Sequence, residues 1–351
     1  MMMKKPAERV IGSFPDEACG FMALTRLGAA QMVGQGRRLR ERYVKELGFL
    51  SEGFRAEEYF VRSTDVARTV MTAQAVLLGL QPDALREGAL GLPILVRPAR
   101  EEYMYPSYRL CPRYRAERER LRGPFAEIDG RLHGALREAL GGCLGEHAGL
   151  ERGWQSVANS LAPVAAEQAT HLCEEMRRRH PRVYGSCAPA AAGEGSVLPA
   201  CLTEGLLEGA QRAAGAELAH KFGTPLLARL AIGGFVDDLM SDLEDKLARP
   251  LQPRRLALYS GHDSTLAPLL AAFRVFDDCL PPLGSVLVLE LHQHPRSRQG
   301  YVRLIYNDRV LPLPQAVAPA APDGAADEPP PPPLPGAVSW EAFSALSAPV
   351  R

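Results

Sequence analysis

The sequence predicts an α/β fold, a sheet domain interrupted by a mostly helical insert. Three observations carry that expectation. Two short apolar runs, Tyr59-Phe60-Val61 and Leu256-Ala257-Leu258-Tyr259, each lead through a polar corner into an amphipathic helix. Between Gly91 and about Cys201 the pattern turns helical, with a cluster of tyrosines and arginines from Glu101 to Arg122. Ser285–Leu291 and Tyr301–Tyr306 are β-rich and separated by a polar turn, which reads as an antiparallel pair.

In chain order, Thr25 is the expected N-cap of a helix running to about Glu46, with Leu27, Leu39 and Tyr43 among its apolar positions. The strand Tyr59–Val61 follows. Thr64 is read as the cap of a helix whose Val66, Val70, Ala73 and Leu77 form one apolar stripe, closing near Gly79. Helices are expected near Glu127–Leu140, from Trp154 to about Arg179, and from Thr203 to Ala248 with a break at Pro225. A strand at Leu256–Tyr259 and a helix at Leu266–Phe273 complete the second corner. The expected organisation is an unassigned stretch at 1–19, a discontinuous α/β domain at 20–90 and 203–310, and a helical insert at 91–202. An Ala/Pro-rich segment at 311–337 and a tail at 338–351 follow.

Composition narrows the function. Forty-one basic residues balance 41 acidic ones, which argues against a nucleic-acid or polybasic membrane contact. No run approaches the roughly 18 apolar residues of a membrane span. The first eleven residues carry two lysines with no apolar stretch behind them, unlike a signal peptide, and the compartment stays open. Seven cysteines lack metal-ligand spacing; one or two disulfides are compatible with them. Pro329–Pro333 is a low-complexity polyproline segment, with a proline-recognising partner as the alternative reading.

The chemistry concentrates at the two corners. A helix N-terminus favours anions, and ligands of open α/β sheets sit beyond the carboxyl ends of the strands. Arg62 there either grips phosphate through two parallel hydrogen bonds or pairs with Asp65 or a neighbouring glutamate. His262 either hydrogen-bonds a phosphoryl oxygen or is an ordinary corner histidine. Asp263 either protonates a leaving alkoxide or simply caps the helix. His292 and His294 share a strand face, but two ligands without a third do not make a metal site.

Three blocks, Leu24-Thr25-Arg26-Leu27-Gly28-Ala29-Ala30-Gln31, Val61-Arg62-Ser63-Thr64-Asp65-Val66-Ala67-Arg68-Thr69 and Tyr259-Ser260-Gly261-His262-Asp263-Ser264-Thr265-Leu266, resemble the histidine acid phosphatase family in order and spacing. Tyr105-Pro106-Ser107-Tyr108 and Phe276-Asp277-Asp278-Cys279-Leu280-Pro281-Pro282 are similar to its lysophosphatidic acid phosphatase branch. The resemblance implies a histidine phosphatase-like (phosphoglycerate mutase-like) sheet domain with an inserted helical cap. It implies hydrolysis of a small or lipid phosphate monoester without metal or cofactor. By the same resemblance Arg62 and His262 hold phosphate, and Asp263 donates the proton. The family's Arg-His-Gly-x-Arg-x-Pro motif, source of the nucleophilic histidine, occurs nowhere in these 351 residues. The resemblance therefore also implies a sheet lacking one central strand and two additional sheet edges. Its alternative outcome is a relative that binds phosphorylated ligands without turnover.

Overall fold

A computed structural model describes residues 24–85, 92–106, 111–144, 150–168, 201–314 and 334–351. The N-terminal stretch, the 185–200 loop and Pro329–Pro333 lie outside these residues.

Helix α1 (Arg26–Arg40) starts as read from the sequence, with Thr25 Oγ1 accepting from Gly28 N–H at 3.0 Å. It runs on without a break as a π-helical turn, Glu41–Glu46. Strand β1 (Tyr59–Thr64) is longer than its apolar run, because Arg62, Ser63 and Thr64 are buried and stay in the ladder. Thr64 is consequently the end of a strand and not a helix cap. The cap position of α2 (Ala67–Leu80) is Val66, which makes no side-chain cap bond. Gly79 serves close approach and not helix closure. A Cβ there would lie 2.1 Å from Val33 O, and one at Gly36 would lie 2.0 Å from Val76 O. The two glycines let α1 and α2 cross backbone to backbone, with Met32, Ala75 and Val76 buried at the contact.

Strand β1 is central in a three-stranded parallel sheet, flanked by β2 (Leu95–Arg97) and β3 (Leu256–Ser260). Arg62 stands opposite Tyr259 and Ser63 opposite Ser260, so the carboxyl ends of β1 and β3 are side by side. Helices α2 and α7 (Asp263–Ala272) each begin three residues beyond those ends. The register thus brings both corners to one crevice. Helices α3 (Pro112–Leu144), α4 (Trp154–Gln168), α5 (Glu204–Phe222) and α6 (Pro225–Ala248) fall between β2 and β3 in the chain. Ala210, Ala213 and Ala214 of α5 pack on Trp154 and Val157 of α4 and on Leu140 of α3. A disulfide joins Cys143 to Cys201, tying the end of α3 to the approach to α5.

The expected antiparallel pair forms, β4 (Leu287–Gln293) against β5 (Gly300–Tyr306). The other edge of β5 takes β6 (Arg309–Val310) and β7 (Val338–Ser339). Among the described residues no ladder joins the two sheets, and β3 and β4 each have a single partner strand. Residues 338–351 are more than a tail. Helix α8 (Trp340–Ser347), capped by Ser339, buries Phe343 and Leu346 with Phe235 and Met240 of α6, Phe273, and Val302 of β5.

Candidate functional site

The crevice is built from a strand end, two helix starts and one face of α4. At its centre is His262, the cap residue of α7, whose backbone N–H donates to Thr265 Oγ1 at 3.0 Å. One ring nitrogen, Nδ1, lies 3.4 Å from an Arg68 guanidinium nitrogen; the other, Nε2, lies 3.0 Å from Thr64 Oγ1. A guanidinium can only donate, so Nδ1 accepts and the imidazole is neutral with its proton on Nε2. That proton goes to Thr64 Oγ1. The Thr64 hydroxyl passes its own to Thr69 Oγ1 at 2.8 Å, and Thr69 donates to Val66 O at 2.8 Å. Every hydrogen in the relay has an acceptor. Electrostatics agree: burial, with Arg68 adding to it against a small opposing pull from Asp263, lowers the His262 pKa from 6.5 to about 4.

Asp263, the first residue of α7, is fixed from across the sequence. Its Oδ2 accepts from Gln155 Nε2 at 2.9 Å and from Asn159 Nδ2 at 2.7 Å. Its Oδ1 accepts from Ser264 N–H at 2.7 Å. The two carboxamides sit one turn apart on α4, beside the buried Trp154, Val157 and Ala158. Gln155 is itself held, its N–H by Glu217 and its Oε1 by Lys221, each at 3.0 Å. Helices α4 and α5 therefore orient a carboxyl group on α7.

Arg62 meets two carboxylates. The residue is 4 % exposed, and its guanidinium donates to Glu102 Oε1 at 2.7 Å, with Asp238 Oδ2 at 3.5 Å. The same Glu102 oxygen accepts the backbone N–H groups of Tyr103 and Met104. Arg62 and Arg97 both lie over the Tyr103 ring, at 4.8 and 4.4 Å from its centroid, and the Tyr103 hydroxyl bonds Asp238. Two carboxylates thus compete for the charge that an anion would need. The acidic pairing weighed from the sequence is realised, but with Glu102 and Asp238 and not with Asp65. What the arrangement fixes is the segment carrying Tyr103 and Tyr105, and the Tyr105 ring meets the His262 ring edge-on at 5.4 Å.

Sequence reasoning missed Arg68, Gln155 and Asn159. Arg68 was detectable in principle, since it occupies the first turn of a helix leaving a strand corner. His292 bonds Glu290 and His294 bonds Ser297; among the described residues no three potential ligands come together for a metal.

Comparison with known proteins identifies a family and a fold. The family model for the histidine phosphatase superfamily (branch 2) matches residues 12–123 and 208–307. The human lysophosphatidic acid phosphatase type 6 is 30% identical over 311 residues, 86% of this chain and 63% of its own length. The human testicular acid phosphatase is 30% identical over 310 residues, 84% of this chain and 66% of its own length. The chain thus spans a little under two thirds of these relatives. Phytases from Citrobacter braakii and Klebsiella share the fold at 16% identity. Their TM-scores are 0.57 and 0.59, and the matches cover 97% and 94% of this chain and 91% and 85% of theirs.

Proposed function

Because the chain belongs to branch 2 of the histidine phosphatase superfamily, we propose that its crevice is the phosphate-binding and proton-donating part of an acid-phosphatase-type phosphomonoesterase site. The observation that carries the reading is the meeting of Arg68, His262 and Asp263 at two adjacent helix starts. Arg68 turns from the imidazole to the phosphoryl oxygens and supplies a charge-assisted contact. His262 keeps its Nε2 proton on Thr64 and meets phosphate through Nδ1, taking up the proton of a monoanionic ester or a proton from water. The gripping role first read for Arg62 passes to Arg68, and Arg62 becomes a positioning residue for Tyr103 and Tyr105.

Asp263 is the general acid. With Oδ2 engaged by Gln155 and Asn159, Oδ1 is the oxygen that carries and delivers the proton to the leaving alkoxide. The substrate class is a small or lipid phosphate monoester, lysophosphatidate-like, and the site calls for no metal. Attack on phosphorus needs a nucleophile, and the sequence contains no Arg-His-Gly motif to supply one. That observation favours a second reading, in which the chain binds phosphorylated ligands without turnover.

Phosphate binding and p-nitrophenyl phosphate turnover, measured on the same preparation, test both readings. Binding with turnover supports the hydrolase, and binding alone supports the second reading. No binding at millimolar inorganic phosphate removes both.

A further inference from the structure

The ion pair behind Asp263 does something that packing alone does not require. Glu217 and Lys221 meet at 2.7 Å, one turn apart on α5, with side chains only 10 % and 17 % exposed. Elsewhere on the same helix Ala210, Ala213 and Ala214 meet α4 through apolar contact. Taking two charges out of water is costly, and an apolar pair would hold the helices as well. Yet room for the pair is built into the backbone. Gly153, at φ +94°, stands where a Cβ would lie 2.7 Å from Glu217 Oε1.

Both charges reach Gln155. Glu217 Oε2 accepts its backbone N–H and Lys221 Nζ donates to its Oε1, each at 3.0 Å. An ammonium group can only donate, so the Gln155 amide cannot turn round without setting its own NH2 against the lysine. Nε2 is thereby aimed at Asp263 Oδ2, 2.9 Å away. Asn159 also donates to Oδ2, at 2.7 Å, but among the described residues no partner fixes the other end of that amide.

We propose that Lys221 is a positioning residue for the general acid: by fixing the polarity of the Gln155 amide it keeps Asp263 Oδ2 an acceptor, so that the proton loads on Oδ1. This role rests on the general-acid reading of Asp263 above and adds the residue that selects the oxygen. An ionised carboxylate orients the amide unaided. Lys221 matters once the carboxyl group is protonated, because Oδ2–H could then donate to a reversed Gln155 Oε1 and tie the proton to α4.

Asp263→Asn imitates that neutral group, since a carboxamide also offers either a donor or an acceptor. The test is NMR of the nitrogen-labelled full chain, read at the Gln155 side-chain NH2 signals, which are assigned by their loss in Gln155→Leu. In Asp263→Asn they are expected as a single sharp set. Adding Lys221→Met with Glu217→Gln removes both charges together and leaves an oxygen for the Gln155 N–H; the signals should then split or broaden as the amide samples both orientations. A single sharp set without Lys221, or split signals in its presence, would overturn the positioning role. The general-acid reading would stand, since it is tested separately by leaving-group dependence. If the charge-free variant does not fold, neutron diffraction from Asp263→Asn crystals reads the same amide. Deuterium on Nε2 facing residue 263 supports the role, and Oε1 facing it overturns the role.

Discussion

The neutrality of His262 has a measurable cost in acid. Burial, reinforced by Arg68, lowers its pKa from 6.5 to about 4, so the folded protein resists protonation more than the unfolded chain does. The stabilisation linked to that difference is complete above pH 6.5 and is lost as pH falls through about 4. A drop of this size corresponds to about 3 kcal/mol. Urea unfolding of the wild type and of His262→Gln, compared at several pH values between 7 and 4, reads the effect. Glutamine cannot take the proton, so the difference in pH slope isolates His262 from His220, whose pKa burial also lowers. The wild type should lose about 3 kcal/mol more than the variant across it. In parallel the imidazole resonances of His262 should titrate near 4. Parallel stability curves, or a His262 titration near 6.5, would refute the assigned tautomer and with it the acceptor role of Nδ1 toward Arg68.

Other outcomes follow from the same packing. Glu290 accepts from Arg42, Tyr43, His292 and Arg303; burial alone would raise its pKa, but the bonds from His292, Tyr43 and Arg42 hold it at about 2. Glu290→Gln should therefore cost about 3 kcal/mol at neutral pH and less as pH falls from 4.5 toward 2, read by denaturant unfolding. Gly36→Ala should destabilise by about 2 kcal/mol or more, since the new methyl meets backbone and the α1–α2 crossing must open; thermal melts check it. Reduction of Cys143–Cys201, which spans 58 residues, should cost about 4 kcal/mol by loop entropy, seen as a lower melting temperature in reductant. In a version of the protein that turns over, Asp263→Asn should slow esters with poor leaving groups more than p-nitrophenyl phosphate. Equal losses on both would remove the acid role.

Much of the fold was legible because its signals are local. An apolar run leading through a polar corner into an amphipathic helix is written within ten residues, and that pattern gave β1, β3, α2 and α7. The β4–β5 pair was legible for the same reason. Boundaries failed where burial, not hydrophobicity, keeps a residue in a strand, as with Arg62 to Thr64. Residues 338–351 were passed over as a tail although Ser339 caps the helix and Trp340, Phe343 and Leu346 recur at helical spacing. In the candidate site, His262 and Asp263 stand out in the sequence because they sit in the corner motif. Gln155 and Asn159 lie over a hundred residues away and reach Asp263 only through the packing of α4. For Arg62 the sequence leaves phosphate and an acidic partner open, because Glu102 and Asp238, which it meets in the fold, are 40 and 176 residues distant.

The central claim is that phosphate is held at Arg68 and His262, with Arg62 as a support. Calorimetric titration of the full chain with inorganic phosphate, repeated on Arg68→Ala, tests it most directly. The account predicts saturable binding to the wild type that weakens by about tenfold or more in Arg68→Ala, the loss of a charge-assisted contact. Undiminished phosphate affinity in a folded Arg68→Ala protein would contradict it.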